Sequence, residues 1–369
     1  MTKLIQSRRR FLGTAMGAGA LLASPAYLRS SAAQTGGVVN IWTYDEFIPD
    51  DVKKDFEKET GIEVRIRLVD DQGKQFNLLV AEQPNPSVDI LTVAGHRFLQ
   101  FIDSGLIAPM DTERLANWGA INPVYSESDW ATINGEKWGV PILSGAEIMA
   151  YNTDYVPEDR RNTWDTLFSE DYKQQTAYIP SDLMSIVMLY LGYDGNMIEY
   201  MDDPDEAARI VAEARDFLIE KKPLVRKYYD SGAEIQQMLV NQDVVLCHAW
   251  NGPISKLIMD GLPMGMSIPK EGSYGFVYTL NVANNAPNAD NAYKFLDAMM
   301  ASSEIGAAMT QSTGFISTYK GSAEHLSDLE KAAASFPEEQ LENLQFFRAE
   351  ANDMKYALVD PAVEEIKAS

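Results

Sequence analysis

An alternation of strand-like and helix-like segments near the start of the chain constrains its fold more than any other feature. Residues 38–42 are apolar except for Asn40, and residues 88–93 are apolar except for Asp89 and Thr92. Residues 62–68 alternate strictly between apolar and polar. Helical patterns lie between them, one beginning at Pro49 and the other covering residues 72–82. The order strand–helix–strand–helix–strand predicts a parallel sheet with right-handed crossovers, and therefore an α/β fold.

The rest of the chain predicts further elements of the same two kinds. We expect strands at 148–152, 244–250 and 278–282, helices at 204–220 and 291–300, and a mostly helical segment at 327–369. A turn at Asn251-Gly252-Pro253 is expected to end the middle strand. No internal repeat or low-complexity linker is visible. Two α/β units with several strand passages between them fit this pattern.

Charge and cysteine content exclude several classes of protein. The 369 residues include 54 Asp and Glu but only 31 Lys and Arg, which argues against a general nucleic-acid binder because such proteins need a basic face. The single Cys247 excludes a disulfide framework and any cysteine-cluster metal site.

Catalytic motifs are not visible either, so we expect no catalytic residues, no cofactor and no metal ligands. The chain has no Gly-x-Ser-x-Gly elbow, no glycine-rich phosphate loop and no His-Glu-x-x-His. Cys247 and His248 are adjacent on a predicted strand and point to opposite faces, so they do not form a nucleophile pair. A secreted enzyme is kept as an alternative from another class.

The first 33 residues have the three-part layout of an export signal. Arg8-Arg9-Arg10 precede a weakly apolar stretch at 14–22, and Ser31-Ala32-Ala33 form a small-residue cleavage pattern. Arginines followed by Phe-Leu-Gly resemble the twin-arginine (Tat) signal, which exports folded proteins. Cleavage would remove five bases and no acids, changing the formal net charge from −23 to −28. We expect a periplasmic protein that does not span the membrane.

Nine short segments in series resemble the spermidine/putrescine-binding group of the periplasmic solute-binding proteins of ABC transporters. They are WTYDEFIP at 42–49, FEKETGI at 56–62, VDIL at 88–91, SGLI at 104–107, WGVP at 138–141, WDTLF at 164–168, LGY at 191–193, AWNG at 249–252 and IPKEG at 268–272. No single segment is specific, but their order and spacing match those of the family.

The resemblance implies a two-lobed periplasmic-binding-protein fold of type II, with the ligand cleft between lobes joined by crossing strands. Lobe one is expected at 37–145 plus 276–312, and lobe two at 146–275 plus 313–369. The implied function is to capture a polyamine or related small organic amine by hinge closure. The ligand would be delivered to an inner-membrane permease with an ATPase subunit, and we expect a monomer without nucleic-acid partners.

The resemblance also implies which residues line the cleft. Tyr44 and Glu46 match an aromatic-x-acid element after the first strand, in a segment that includes Trp42. Trp250 matches a tryptophan that stacks on the ligand, and Asp182 matches a carboxylate at the start of a helix. Each also has an ordinary alternative, as a loop residue, a core tryptophan or a helix cap.

Departures from the family pattern leave the ligand open. Tyr278, with Phe276 two residues earlier, stands where the family usually has an amine-pairing Asp. The small hydroxyl residue that the family has after the third strand is also missing, and His96 lies near that position. Glu147 on the crossing strand is a candidate replacement for the amine-pairing Asp. The pocket is expected to be more aromatic and less acidic than a spermidine site, which suits a polyamine, a monoamine, a quaternary amine or an amino acid-like compound.

A second alternative is a ferric-ion receptor on the same fold. Tyr228-Tyr229 resembles the tyrosine pair of ferric-ion-binding proteins, but it follows a cluster of bases in a predicted helix end or loop. A structural role is therefore favoured for this pair. Part of the negative charge lies in segments such as 202–213 and 338–350, which are typical of solvated helix faces.

Overall fold

The computed structural model describes residues 36–69, 71–127 and 131–369. Its strands are β1 (Val38–Thr43), β2 (Glu63–Leu68), β3 (Ile90–Ala94), β4 (Thr132–Ile133), β5 (Glu136–Lys137), β6 (Val140–Asn152), β7 (Thr176–Tyr178), β8 (Val225–Tyr228), β9 (Leu246–Trp250), β10 (Met264–Ser267), β11 (Ser273–Val282), β12 (Ile316–Ser317) and β13 (Leu344–Phe346). The export signal predicted over residues 1–33 lies outside the described residues.

The α-helices alternate with these strands along the chain. They are α1 (Asp50–Thr60), α2 (Gln72–Glu82), α3 (Phe98–Asp103), α4 (Pro123–Ser126), α5 (Pro180–Tyr190), α6 (Pro204–Lys221), α7 (Gly232–Val240), α8 (Asn251–Met259), α9 (Ala289–Met299), α10 (Ser303–Thr313), α11 (Asp328–Ala333), α12 (Glu338–Leu341) and α13 (Asn352–Ala368). None of the helices in the described ranges is long and apolar enough to cross a membrane.

The β-α-β-α-β unit predicted at the start of the chain is confirmed. β1 pairs in parallel with β2 on one side and with β3 on the other. α1 begins after Pro49, whose extended backbone starts the helix, and ends at Gly61, which has a φ of 71°. A glycine suits this position because the left-handed conformation costs it nothing.

One sheet runs through both halves of the structure, in the order β2-β1-β3-β11-β6-β9-β7-β8. β11 is antiparallel to β3 and β6, so the return of the chain closes the first parallel unit. All 13 residues of β6 are buried, and its first part pairs with β11 while its second part pairs with β9 and β10. The strands predicted at 148–152 and 278–282 are the second halves of these longer strands.

Apolar side chains cover both faces of the sheet in each half. In β1, Ile41 packs in one hydrophobic cluster and the adjacent Trp42 packs in another, as alternation along a strand requires. In β9, Leu246 and Cys247 are divided between two further clusters in the same way. Phe315, which follows α10, packs in the cluster of Ile41. The lobe boundaries predicted from the sequence stay a prediction.

Two local predictions differ from the structure. The turn expected at 251–253 is wrong, because α8 begins at Asn251 directly after β9. Pro253 lies in the first turn of α8, where a missing backbone N–H leaves no helical hydrogen bond unmade. Tyr228 ends β8 and is not in a helix end or loop. The C-terminal segment is mostly helical as predicted, and it also contains the short strand β13, which pairs in parallel with β11.

We expect Phe295→Ala to lower the free energy of unfolding by about 3–5 kcal/mol, because the side chain is fully buried and its loss leaves a cavity. Phe295 packs edge to face on Phe56, with ring centroids 5.1 Å apart, and this contact holds α9 against α1. Urea denaturation measures the change. Leu329→Ala, at a side chain 50% exposed, is the control and should change stability by less than about 0.5 kcal/mol. Equal losses in both variants would contradict the packing described.

Candidate ligand-binding site

Polar and aromatic side chains gather at one edge of the sheet, where several strands end and one helix begins. Tyr44 follows β1, Trp250 is the last residue of β9, and Asp182 lies in the first turn of α5. These three side chains remain partly exposed. Open α/β sheets present ligand-binding groups at the carboxyl ends of their strands, so this edge is where a ligand is expected.

A cluster of five aromatic rings forms one side of the site. Its members are Tyr44, Phe47, Phe276, Tyr278 and Phe315. The ring centroid of Tyr278 lies 5.5 Å from Tyr44, 5.0 Å from Phe47, 5.3 Å from Phe276 and 5.7 Å from Phe315. The sequence identified Tyr44, Phe276 and Tyr278 but missed Phe47 and Phe315. Phe47 could have been identified from the sequence, because it lies in the matched segment at 42–49 and follows Tyr44 by three residues.

Trp250 and Asp182 are joined directly. The indole Nε1–H of Trp250 donates to Oδ2 of Asp182 over 3.1 Å. Trp250 is also opposite Glu147 in the register of β9 and β6. The structure therefore brings together three of the residues proposed from the sequence, and the hydrogen bond to Asp182 holds the indole.

Burial shifts the ionisation of both members of a Glu147–His248 pair. Nε2 of His248 lies 2.9 Å from Oε2 of Glu147, and both side chains are buried. Burial raises the pKa of Glu147 to about 8, against the opposing effects of Trp250 and Lys355. Burial lowers the pKa of His248 to about 4, against the charge of Asp182. At neutral pH the pair is therefore most stable with its proton on the carboxyl group and no net charge.

As the sequence predicted, His248 and its neighbour Cys247 point to opposite faces of β9 and do not form a nucleophile pair. Cys247 packs in the cluster of Ile235 on one face of β9, whereas the ring of His248 lies 5.9 Å from that of Trp164 on the other. Burial raises the pKa of the Cys247 thiol well above its ordinary value. The thiol is thus held in its unreactive form, as expected of a core cysteine.

Asp182 supplies the carboxylate of the site at neutral pH. Burial raises its pKa to about 6, and the nearby Glu147 adds to this effect. His248, Ser181 and the Trp250 indole act in the opposite direction. The group is therefore ionised at pH 7, partly exposed, and available to a cation that approaches the aromatic cluster.

The sequence missed Lys355, a buried cation on α13. Its side chain on α13 is only 5% exposed, and its Nζ lies 4.8 Å from the ring centroid of Phe347. Burial lowers the pKa of Lys355 to about 8, while Asp182, Asp194 and Glu147 oppose the shift. The three carboxyl groups therefore lie within electrostatic range of the ammonium. The sequence feature that could have identified Lys355 is its position on the helix face that also carries Val359 and Ile366.

His96 lies against the C-terminal segment that carries Lys355. Its ring centroid is 5.3 Å from that of Phe347, and its backbone carbonyl accepts from the side chain of Asn352. Burial lowers the pKa of His96 to about 3, and Arg97 and Lys355 add to the shift, so the ring is neutral. Beside it is a cavity of about 190 Å³ lined by Gly95, Leu99, Thr132, Ile133, Phe347, Ala349 and Glu350.

Two proposed residues do not join the others. Trp42 is buried in a hydrophobic cluster with Leu79 and Phe98, and the guanidinium of Arg67 lies 5.0 Å from its ring centroid. Glu46 is exposed in a left-handed turn with a φ of 63°, and its backbone carbonyl accepts from Ser312. The structure thus places Trp42 in the core and Glu46 at the surface.

The tyrosine pair considered for ferric ion has separate surroundings. Tyr229 is buried and its hydroxyl donates to the backbone carbonyl of His248 over 2.8 Å. The Tyr228 ring lies against Tyr178, with centroids 5.2 Å apart. Across residues 36–69, 71–127 and 131–369, no group of three or more His, Cys, Asp or Glu side chains is arranged to hold a metal ion.

Comparison with known proteins adds three findings. The sequence profile of the family described as "Bacterial extracellular solute-binding protein" matches residues 51–338. A spermidine/putrescine-binding periplasmic protein of Haemophilus influenzae is 23% identical over 277 residues, which cover 73% of this chain and 72% of the relative. A putrescine/agmatine-binding protein of Pseudomonas aeruginosa is 25% identical over 288 residues, which cover 73% of this chain and 74% of the relative.

A solved structure extends the likeness to the fold. The spermidine/putrescine ABC transporter substrate-binding protein PotD of Streptococcus pneumoniae superposes with a TM-score of 0.74 at 18% identity, covering 90% of this chain and 99% of the other. This likeness confirms the periplasmic-binding-protein fold predicted from the sequence.

The pKa of Glu147 makes a prediction for stability. The folded protein holds this proton up to about pH 8, whereas the unfolded chain releases it near pH 4.5, so raising the pH between these values destabilises the fold. Glu147→Gln removes the titration. From about pH 5 to about pH 8, wild type should lose more than about 1.4 kcal/mol relative to this variant in urea denaturation. Curves of unfolding free energy against pH that run parallel for the two proteins would contradict the raised pKa of Glu147. Glu339→Gln, at an exposed position, is the control.

Proposed function

The chain belongs to the bacterial extracellular solute-binding proteins, and from this premise we propose that it is the receptor of an ABC importer for a polyamine or related small organic amine. Such a receptor binds its solute and delivers it to an inner-membrane permease with its ATPase subunit, without catalysing a reaction. The relatives from Haemophilus influenzae and Pseudomonas aeruginosa, named for spermidine, putrescine and agmatine, support this ligand class.

One observation carries the proposal, which is the hydrogen bond between Trp250 and Asp182 beside the aromatic cluster. Burial raises the pKa of Tyr278, and Tyr44, Glu147 and Asp182 add to the shift, so the acids and the rings lie within electrostatic range of each other. A ligand ammonium between them would pair with the Asp182 carboxylate. The ring faces would attract the same cation through their quadrupoles and cover the methylene chain.

Closure of the two halves would strengthen both interactions by excluding water. We propose the lobes at 37–145 plus 276–312 and at 146–275 plus 313–369. The pairing of β6 supports a division near residue 145, because the strand changes its main partner there from β11 to β9. The site residues come from both sides of this division, with Tyr44 and Tyr278 on one and Asp182 and Trp250 on the other.

We place the receptor in the periplasm as a monomer, exported through the twin-arginine signal at residues 1–33. The layout of that segment supports export. The relative from Haemophilus influenzae is named as periplasmic, which supports the same location.

We expect a thermal-shift screen of diamines, polyamines, monoamines, betaines and amino acids to find at least one compound that raises the melting temperature. A solute that binds only the folded state stabilises it by mass action, with a gain of about 2.7 kcal/mol at a concentration of 100 Kd. A parallel series of metal salts and sugars provides the comparison. No response to any amine would contradict the proposed ligand class.

We expect Asp182→Asn and Trp250→Ala each to weaken the binding of the responding amine by about 1–3 kcal/mol, because one removes a charge-assisted partner and the other a stacking face. Titration calorimetry measures the change. Asp243→Asn, at an exposed position beyond α7, is the matched control and should keep the wild-type affinity. Unchanged affinity in both variants would contradict the assignment of Asp182 and Trp250 to the ligand-binding site.

A further inference from the structure

Lys355 is the one charged group of the site for which the proposed function has no use. Its side chain is 5% exposed, so it is removed from water almost completely. Within the described ranges, the ammonium forms no ion pair and no hydrogen bond, and it lies over the rings of Phe347 and Tyr356. A buried ammonium that lacks an anionic partner is costly, so a ligand that supplies an anion would stabilise it.

The surroundings fix this ammonium in the site. Phe347 lies beneath it and stacks on Tyr274 of β11, with ring centroids 4.7 Å apart and planes 18° apart. One turn earlier on α13, the side chain of Asn352 donates to the backbone of His96. α13 also packs against α5, the helix that carries Asp182. Lys355 therefore lies among elements that contact both halves of the sheet.

The charges of the site already balance before a ligand binds. Asp182 carries one negative charge at neutral pH and Lys355 carries one positive charge. The Glu147–His248 pair carries none in its most stable form. A diamine would bring two positive charges into a buried site that has one carboxylate and an ammonium of its own. A ligand with one ammonium and one carboxylate would leave the site neutral.

We propose that Lys355 binds a carboxylate of the ligand while Asp182 and the aromatic cluster bind its ammonium, so that the preferred solute is an amino acid with its two charges at opposite ends of a short apolar chain. This inference rests on the proposed function and narrows its ligand class. Both oppositely charged partners are present on the protein, and each would gain a charge-assisted hydrogen bond. The methylene chain between them would lie along the rings.

Three probes of equal chain length test the inference by titration calorimetry on the full chain. They are 4-aminobutyrate, butylamine and putrescine, which differ only in the group at one end. We expect wild type to bind 4-aminobutyrate at least about tenfold more tightly than either amine, since a hydrogen bond to a charged group is worth at least that factor.

Variants of α13 locate the effect. Lys355→Met keeps the length and apolar stem of the side chain, and it should weaken 4-aminobutyrate at least about tenfold and strengthen putrescine. Lys367→Met, at an exposed position on the same helix, should keep the wild-type order. The wild-type order decides the question by itself if Lys355→Met does not fold.

The possible outcomes are separable. Wild type that binds putrescine or butylamine more tightly than 4-aminobutyrate overturns the inference and leaves the amine receptor standing. A Lys355→Met variant that folds and keeps the wild-type order of affinities for the three probes also overturns the inference and leaves the amine receptor standing. Wild type that binds none of the three probes, and no amine of the thermal-shift screen, overturns the inference together with the proposed function.

Discussion

The pairing of β6 on both sides is the constraint on which the rest of the structure depends. This strand is buried along its whole length and is hydrogen-bonded to β11 and β12 in its first part and to β9 and β10 in its second. Glu147 lies just past the point where the partners change. The strand that joins the two halves therefore also carries an acid of the candidate site, and a change in the angle between the halves must act on that site.

The second feature that defines the site is the burial of its charges. Water would favour the ionised forms of Glu147, His248 and Lys355, but burial shifts the pKa of each toward its neutral form. Asp182 is partly exposed and is ionised at pH 7. A neutral site selects ligands by the sum of their charges as well as by their shape, because each uncompensated charge must be taken from water. This property separates the chain from a simple trap for cations, in spite of its acidic composition.

Much of the fold was predictable because its signals are local. The apolar runs at 38–42 and 88–93 and the alternation at 62–68 each reflect burial of a strand by its own neighbours. The resemblance to solute-binding proteins supplied Tyr44, Asp182, Trp250 and Tyr278, and the structure brings these four together. It also supplied Trp42, whose ring the strand turns into the core.

What the sequence could not predict depends on contacts between distant segments. A lysine on the apolar face of a helix usually extends its ammonium to water. At Lys355 the ammonium lies over the Phe347 ring instead. The helix that carries it is joined to the loop of His96 through Asn352, and these two residues are more than 250 positions apart in the sequence. The helix at Asn251 was missed for a related reason, since Gly-Pro is typical of both a turn and the first turn of a helix.

A crystal structure of the chain with its solute bound tests the central claim most directly. The account predicts that the ammonium of the solute lies about 3 Å from the Asp182 carboxylate, against the faces of Trp250 and Tyr278. A solute found instead in the cavity beside Gly95, with Asp182 and Trp250 untouched, would contradict it.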